Sequence, residues 1–552
     1  RIIVGVAKVK NEPGSILEYN FDRNYQGHKS HPWDRCVEHT LTTNNPDGFL
    51  LPYHEILDYT KQNSTEIELK EYAAFAPDYK QFSFASELVE HDTAIDALLN
   101  IAESLKKSEV LLEKSFRKEL DWIDAEISAI WDMRGAFPGM GPVLSALNVE
   151  DGNTIAWEIE KHIIQKDGNL LQTNPWTIFE ESIAEPEKYI KTRGAKLFNA
   201  TAQRIWKGKP GKKKEFYKQL SRCQLNNDQA NFILTKHAEL VGSTQEIIEN
   251  LYLLYEKTRF EGYGISFRQI DKALLPPEKI QLAFPLTKES ALKDRLDERR
   301  VRAFTISILE EAAAEGHSLL PFDEVLERMK AKAMDEPFPI DEDILTTQSE
   351  EDFFVEEVTS ILPSKTNPTL FLKLQRIAEL KEIIRQRLNI GQIVTKPYNI
   401  EKDWLKLINS HKKFPALDPH SPDYIDEIIA RNEKAEALNV LTNYRFSVLI
   451  GPAGSGKTSL LEIFEKQDEI VRGGVLKLAP TGKARVKLGH DAKTIAQFLY
   501  PDRYNAMTGT YFINEEAGKY SSAKNIIIDE ASMLTEEQLA AVFDALGPID
   551  RF

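Results

Sequence analysis

Gly451, Gly456, Lys457 and Thr458 stand at the spacing G-x-x-x-x-G-K-[ST] inside the run SVLIGPAGSGKTS, Ser447 to Ser459. That spacing is the pattern of a cradle for a nucleoside triphosphate. Gly451, Gly454 and Gly456 can take backbone angles barred to other residues, so successive N–H groups can turn inward on phosphate oxygens. The expected nucleotide contacts are Gly451, Pro452, Ala453, Gly454, Ser455, Gly456, Lys457, Thr458 and Ser459. Lys457 reaches the β- and γ-phosphates, and the Thr458 hydroxyl is an expected ligand for Mg²⁺.

A second chemical pair lies further along, in NIIIDEASM, Asn525 to Met533. Three β-branched residues ending in two acids describe a buried parallel strand that delivers carboxylates at its C-terminal end, where such sheets bind ligands. Asp529 is then the expected Mg²⁺ partner, and Glu530 positions and activates the attacking water. Triphosphate hydrolysis is mostly positioning and charge neutralisation, which suits Lys457, Asp529 and Glu530 as the catalytic set.

These groups need elements to hold them. The apolar residues before Gly451 read as a strand, and Ser459–Phe464 as a helix whose N-terminus faces the phosphates. Val475–Ala479 reads as another strand, followed by a tight turn and a basic helix start at Pro480–Arg485. Asp423–Thr442 reads as the helix leading into the phosphate loop. Pro548–Phe552 reads as the beginning of one more strand, so the chain is expected to be a fragment.

The remainder sets the context. At 552 residues, the length suits several domains, on a prior of about 100–200 residues each. Hydrophobic content of 42% with 28% charged residues is that of a globular protein with several cores. A net charge of −16 argues against a uniformly basic nucleic-acid coat but leaves room for a local basic groove. Two cysteines, Cys36 and Cys223, supply no disulfide framework and suit a reducing cytoplasm, so a cytoplasmic location is expected. No apolar stretch approaches the roughly 18 residues of a membrane helix, so no membrane partner is expected.

Four segments are expected. Residues 1–130 form a mixed α/β N-terminal domain of unknown role, with strands at Ile2–Val9 and Glu66–Glu71 and a helical region over Thr93–Trp131. Residues 131–330 form a helical, helix-hairpin-helix-like domain. Its turns are Phe137-Pro-Gly-Met-Gly141 and Gly262-Tyr-Gly-Ile-Ser-Phe267, and Arg299–Ala314 is an amphipathic helix ended by Gly316. Glycine N–H groups at the first turn could meet a DNA phosphate, or the turn could simply join helices. Residues 331–424 form a helical connector, with an exposed acidic linker at Asp335–Glu357 and a helix at Phe371–Leu388. Residues 425–552 form the first ATPase domain.

From Lys188 to Arg222 the charge inverts, with twelve basic residues against Glu215 alone. Phe198, Trp206, Phe216 and Tyr217 are interleaved. Charge for phosphates and rings for bases is what a nucleic-acid contact uses. Lys207, Lys209, Lys212, Lys213 and Lys214 are the expected contacts, although a charge run is often only solvated. His28, His31, Cys36 and His39 have the ligand types and compact spacing of a Zn²⁺ site, against the alternative of an ordinary polar turn.

GPAGSGKT, LAPTGKAR and IIIDEASM together resemble motifs I, Ia and II of the RecD-like branch of superfamily 1 DNA helicases. The resemblance is closest over 425–552, weaker over 223–400, and does not extend to 1–130. It implies a RecA-like α/β P-loop motor domain, C-terminal and incomplete here, preceded by mainly α-helical domains and a mixed α/β N-terminal region. It further implies ATP and Mg²⁺ as cofactors, and translocation 5′→3′ along single-stranded DNA with unwinding of tailed duplexes. By position, Thr481, Lys483 and Arg485 would touch the DNA backbone. Two departures stand out. The family's adenine-reading glutamine is absent from Arg431-Asn-Glu-Lys-Ala-Glu-Ala-Leu438, and Ala496 replaces the histidine of the block at Thr494–Leu499. A nucleotide-gated nucleic-acid-binding or sensor protein, with a protein partner on the N-terminal region and no unwinding, is the competing reading.

Overall fold

The computed structural model describes residues 5–7, 9–10, 37–39, 48–63, 72–74, 87–190, 200–361, 369–394, 398, 400–416, 418–452, 454–506 and 508–552. Two compact units emerge: residues 1–308 with 321–354, and residues 309–320 with 355–552. This division is coarser than the four segments read from the sequence.

The first unit is mostly helical. Short antiparallel pairs, Gly5–Ala7 with Gly48–Leu50 and Val9–Lys10 with Val37–His39 and Glu87–Val89, supply its β-structure. The strand expected at Glu66–Glu71 lies outside the described residues. The helical region expected over Thr93–Trp131 is two helices, His91–Leu112 and Arg117–Arg134, separated where Glu113 takes a left-handed φ of 49°.

The glycine turn at Phe137–Gly141 is buried, and its glycines serve packing. The Gly139 N–H donates to the Ser221 carbonyl at 2.9 Å. A Cβ on Gly139 would lie 2.3 Å from the Cys223 carbonyl oxygen, and one on Gly141 would lie 2.5 Å from Asn153 Oδ1. A DNA phosphate cannot use a donor already bonded inside the core, so the purely structural alternative holds at this turn. The second turn, at 262–267, packs Gly264 against the Thr258 carbonyl and leads through Ser266 into the helix Phe267–Leu274. Ser266 and Gln269 form a reciprocal capping box, which satisfies donors the helix start leaves open.

The acidic segment is not an exposed linker. It folds into the helices Glu342–Ser349 and Asp352–Val355 and buries Ile340, Leu345 and Phe354. The sequence shows its charge, whereas buried arginines decide its place. Arg300 donates to the carbonyls of Glu336 and Pro337, and Arg302 to that of Phe353. Both arginines lie on the helix Glu298–Ala314 and are fully buried in pairs with Asp271 and Glu256. Their several hydrogen bonds offset the cost of taking such charges out of water.

The second unit contains a three-stranded parallel sheet in the order Lys493–Thr494, Val475–Ala479, Asn525–Ile528. Strand alternation sorts its side chains onto two faces. Leu476, Leu478 and Ile526 pack with Ile495, Leu499, Val542 and Phe543 on one side. Ile527 packs with Leu460, Ile463, Phe464 and Leu438 on the other. Helices therefore cover both faces, as a parallel sheet requires. Of the residues expected to be helical at Phe371–Leu388, the first four form a strand paired with Val358–Ile361, and the helix runs Gln375–Val394.

The strand expected immediately before the phosphate loop is extended chain without a regular ladder. Ser447 N–H donates to the Phe552 carbonyl, and Phe552 N–H to that of Arg445, which is a parallel pattern. Arg551 in turn bridges Asn525 in parallel. Residues 445–447 thus run beside 551–552 and in the same direction as Asn525–Ile528. Val448 and Ile450 remain 82% and 87% exposed.

Candidate functional site

Parallel direction is what assembles the site. Because 445–447, Val475–Ala479 and Asn525–Ile528 run the same way, the segments that follow them leave from one edge of the sheet. Those segments are the glycine loop, the turn at 480–481 and the acidic pair.

The loop adopts the conformations its glycines permit. Gly454 and Gly456 have φ of +81° and +88°, where a Cβ would clash with the chain's own backbone. Gly456 caps the helix Lys457–Glu465, whose first turn carries Lys457, Thr458 and Ser459. Lys457 Nζ arches back over the loop to the carbonyl oxygens of Gly451 at 2.5 Å and Pro452 at 2.9 Å. Ser455 N–H donates to the Pro452 carbonyl at 3.3 Å. A Cβ built on Gly454 would meet nothing within 4 Å, so the space beside that residue is open. Ala453 lies outside the described residues.

Asp529 follows the last residue of its strand and donates its own N–H to the Leu478 carbonyl at 3.1 Å. Its Oδ1 accepts the Glu530 N–H at 3.0 Å. Glu530 sits at φ 54°, uncommon for a residue with a side chain, and is exposed. Such backbone costs of order 1–3 kcal/mol and is retained where the surroundings over-determine it. Here the bond to Asp529 on one side and the short helix Ala531–Met533 on the other hold it.

An open glycine cradle, a helix N-terminus, a lysine and a carboxylate at one sheet edge fit a nucleoside triphosphate with Mg²⁺. The loop N–H groups and Lys457 would hold the phosphates, and Thr458 and Asp529 would hold the ion. Bound Mg²⁺ would supply charge neutralisation at the phosphate oxygens.

A model of the AAA domain family matches residues 431–549, which contain all these groups. The segment has an α/β P-loop NTPase fold. An uncharacterized protein of Methanocaldococcus jannaschii is similar over 99% of this chain at 25% identity. The chain spans about half the length of that relative, at 48%.

The Thr481 side chain caps the helix Gly482–Leu488, accepting the Ala484 N–H at 3.2 Å, which leaves its hydroxyl proton to donate. Lys483 is exposed on the same helix start and Arg485 half-buried. In the first unit, Lys207, Lys212 and Lys213 are exposed, while Lys209 and Lys214 are half-buried over the rings of Tyr217 and Trp206. Lys212 bonds Gln245, and Lys218 pairs with Glu180.

Three of the four interleaved rings, those of Trp206, Phe216 and Tyr217, are buried. Trp206 stacks on Trp176 at 5.2 Å, and Phe216 and Tyr217 are buried beside it. Arg222 is also internal, bonded to the carbonyls of Phe284 and Pro285, and burial pushes its pKa down to about 10. These three rings therefore build a core, and the expectation that they stack on bases is overturned for them. Lys191, Arg193, Lys196 and Phe198 lie outside the described residues. So do His28, His31 and Cys36 of the expected zinc set, while His39 pairs with Val9 in its strand. Among the described residues no cluster of three or more metal-ligating side chains occurs, and no helix is long and apolar enough to cross a membrane.

Several charged residues near the site gave no sequence signal. Lys477, in the middle of the apolar strand, joins Glu465 at 3.1 Å to Asp491 at 2.9 Å. Burial alone would lower its pKa, but these two carboxylates raise it. Arg376 ties Glu310 to Glu537, in the first turn of the helix Glu536–Ala545. Only partners distant in sequence distinguish such residues from surface charges.

Proposed function

We propose that the chain is part of a helicase or translocase driven by ATP hydrolysis, moving 5′→3′ on single-stranded DNA and unwinding tailed duplexes, in repair, recombination or defence. The carrying observation is that the open phosphate loop, the Asp529–Glu530 turn and the basic helix start at 481–485 leave one edge of a parallel sheet. Lys457 neutralises phosphate charge. Asp529 and Thr458 hold Mg²⁺, and Glu530 orients the attacking water. Lys483 and Arg485 supply backbone charge for DNA on the same edge, and Lys207, Lys209 and Lys212–Lys214 form a second basic contact in the helical unit. Residues 1–130 offer a surface for a protein partner.

A nucleotide-gated binding protein without unwinding is the second reading. The buried rings of the basic stretch and the internally bonded Gly139 favour it, because they withdraw expected nucleic-acid contacts. Strand displacement by the full-length protein on 5′- and 3′-tailed duplexes separates the two. Unwinding of the 5′-tailed substrate is expected. ATP hydrolysis without displacement on either substrate sinks the helicase reading in favour of the second.

A further inference from the structure

The Glu530 carboxylate has no hydrogen-bond or ion-pair partner among the described residues, so its backbone alone places it. That backbone is anchored on both sides. Upstream, the Glu530 N–H donates to Asp529 Oδ1 at 3.0 Å, at the end of the strand. Downstream, the Met533 N–H donates to the Glu530 carbonyl at 3.0 Å, and the short helix Ala531–Met533 leads through Leu534 to Thr535. Thr535 caps the helix Glu536–Ala545 in a reciprocal box with Gln538. The stance of Glu530 therefore depends on where the start of that helix is held.

Two arginines of one neighbouring helix hold it. Arg376 and Arg387 lie on Gln375–Val394, which packs Ile384 and Leu388 against the cluster containing Val542 and Phe543. Arg376 Nη1 donates to Glu537 in the first turn, while its Nε donates to Glu310 Oε1 at 2.9 Å. Arg387 Nη2 donates to the carbonyl oxygens of Gly547 at 2.5 Å and Leu546 at 3.4 Å, just past the last helical residue. A cation suits the negative end of a helix dipole, and an acid the positive end. At about 1.5 Å per residue, Arg376 and Arg387 stand about 16 Å apart along their helix, and Glu537 and Leu546 about 14 Å along theirs. A slip of one turn, about 5.4 Å, would break both grips. Burial disfavours charge on Arg376, yet Glu310 and Glu537 raise its pKa, so the grip stays charged.

We propose that Arg376 is a positioning residue for triphosphate hydrolysis. Through Glu537 it fixes the start of Glu536–Ala545, with Arg387 fixing the end, and so sets the direction of Glu530. This inference rests on the assignment of the attacking water to Glu530. Nucleotide binding belongs to the glycine loop and Lys457, so loss of the grip affects turnover and not affinity. Glu310 shares the Arg376 guanidinium but lies on Glu298–Ala314, with no short chain path to Glu530, so its bond supports the fold.

The test is steady-state ATP hydrolysis by the full-length protein, with kcat and KM measured separately and the melting temperature recorded. Arg376→Gln and Glu537→Gln should each lower kcat about tenfold or more and leave KM within about twofold, because a small misplacement of a catalytic group is costly. The double variant should lose no more than either single one, since both remove the same contact. Glu310→Gln should lower the melting temperature and leave kcat within about twofold. An unchanged kcat in Arg376→Gln, additive losses in the double variant, or an equal loss in Glu310→Gln overturns the proposal alone. If Arg376→Gln does not fold, Glu537→Gln and Arg387→Gln give the same split of kcat from KM. Should Lys457→Ala and Glu530→Gln hydrolyse ATP like the unaltered protein, the hydrolysis reading falls and the proposal with it.

Discussion

Two glycine turns in this protein look alike in sequence and differ in what surrounds them. At Phe137–Gly141 the space a side chain would need is filled by the Cys223 carbonyl and by Asn153, and the Gly139 N–H is bonded to Ser221. At Gly451–Gly456 the glycines have positive φ at 454 and 456, and the space beside Gly454 is empty. A glycine that admits a neighbouring backbone serves packing. A glycine with open space beside it leaves room for a ligand.

The largest expected effect breaks the open turn. Lys457→Ala should reduce nucleotide hydrolysis by about a hundredfold or more in a phosphate-release assay, since it removes a donor aimed at developing charge. The melting temperature should barely move, because Lys457 Nζ bonds only carbonyls of its own loop. A large loss of stability would mean the lysine is structural.

Substituting one glycine in each turn sharpens the contrast. Gly139→Ala places a methyl 2.3 Å from a backbone oxygen and should destabilise the helical unit by about 3 kcal/mol in urea unfolding. Gly454→Ala meets no neighbour and should cost about 1 kcal/mol, from its left-handed backbone alone. Equal costs at the two positions would remove the distinction.

Buried charge in the helical unit offers a third, smaller test. Burial favours the neutral acid at both Asp96 and Asp335. At Asp96 the adjoining Lys272 and Arg268 win and hold the carboxyl below its ordinary range. At Asp335 burial wins, despite Lys272 at 3.9 Å and the Trp131 N–H, and the pKa rises. Asp96→Asn should therefore cost about 2 kcal/mol near neutral pH. Asp96 supports the fold above its unfolded pKa, near 3.8, and that support fades as pH falls through its lower folded value. Asp335 has the opposite sign: it costs stability as pH rises from its unfolded toward its raised folded value. Asp335→Asn should be neutral or stabilising at neutral pH, checked by unfolding across pH 4 to 8.

The smallest effect concerns the lysines left outside the aromatic core. Lys212→Glu with Lys213→Glu should weaken single-stranded DNA binding and lower its salt slope by about 2, one phosphate contact per lysine. An unchanged slope would assign this stretch to solvation alone.

How much was legible follows from how local each signal is. The phosphate loop, the strands at Val475–Ala479 and Asn525–Ile528, and the helix ahead of the loop depend on contiguous residues, and the structure reproduces them. Basic residues interleaved with rings are also a contiguous signal, yet they were misleading at Trp206, Phe216 and Tyr217. Periodicity does not tell a ring facing solvent from one facing Trp176, whose partnership comes from a distant helix. Acidity likewise suggested a linker at 335–357, until Arg300 and Arg302 supplied partners that no spacing shows.

The amino-acid sequence by itself determined the phosphate cradle, because its chemistry needs only glycine backbones, a lysine and a threonine in one short run. It also placed two carboxylates at the end of an apolar strand. Only the tertiary structure decided that loop and carboxylates leave one sheet edge, that Gly139 is packed while Gly454 is open, and that Arg376 and Arg387 grip the helix after the carboxylates. Those outcomes depend on strand direction and on contacts between residues far apart in the chain, and such contacts have no local pattern.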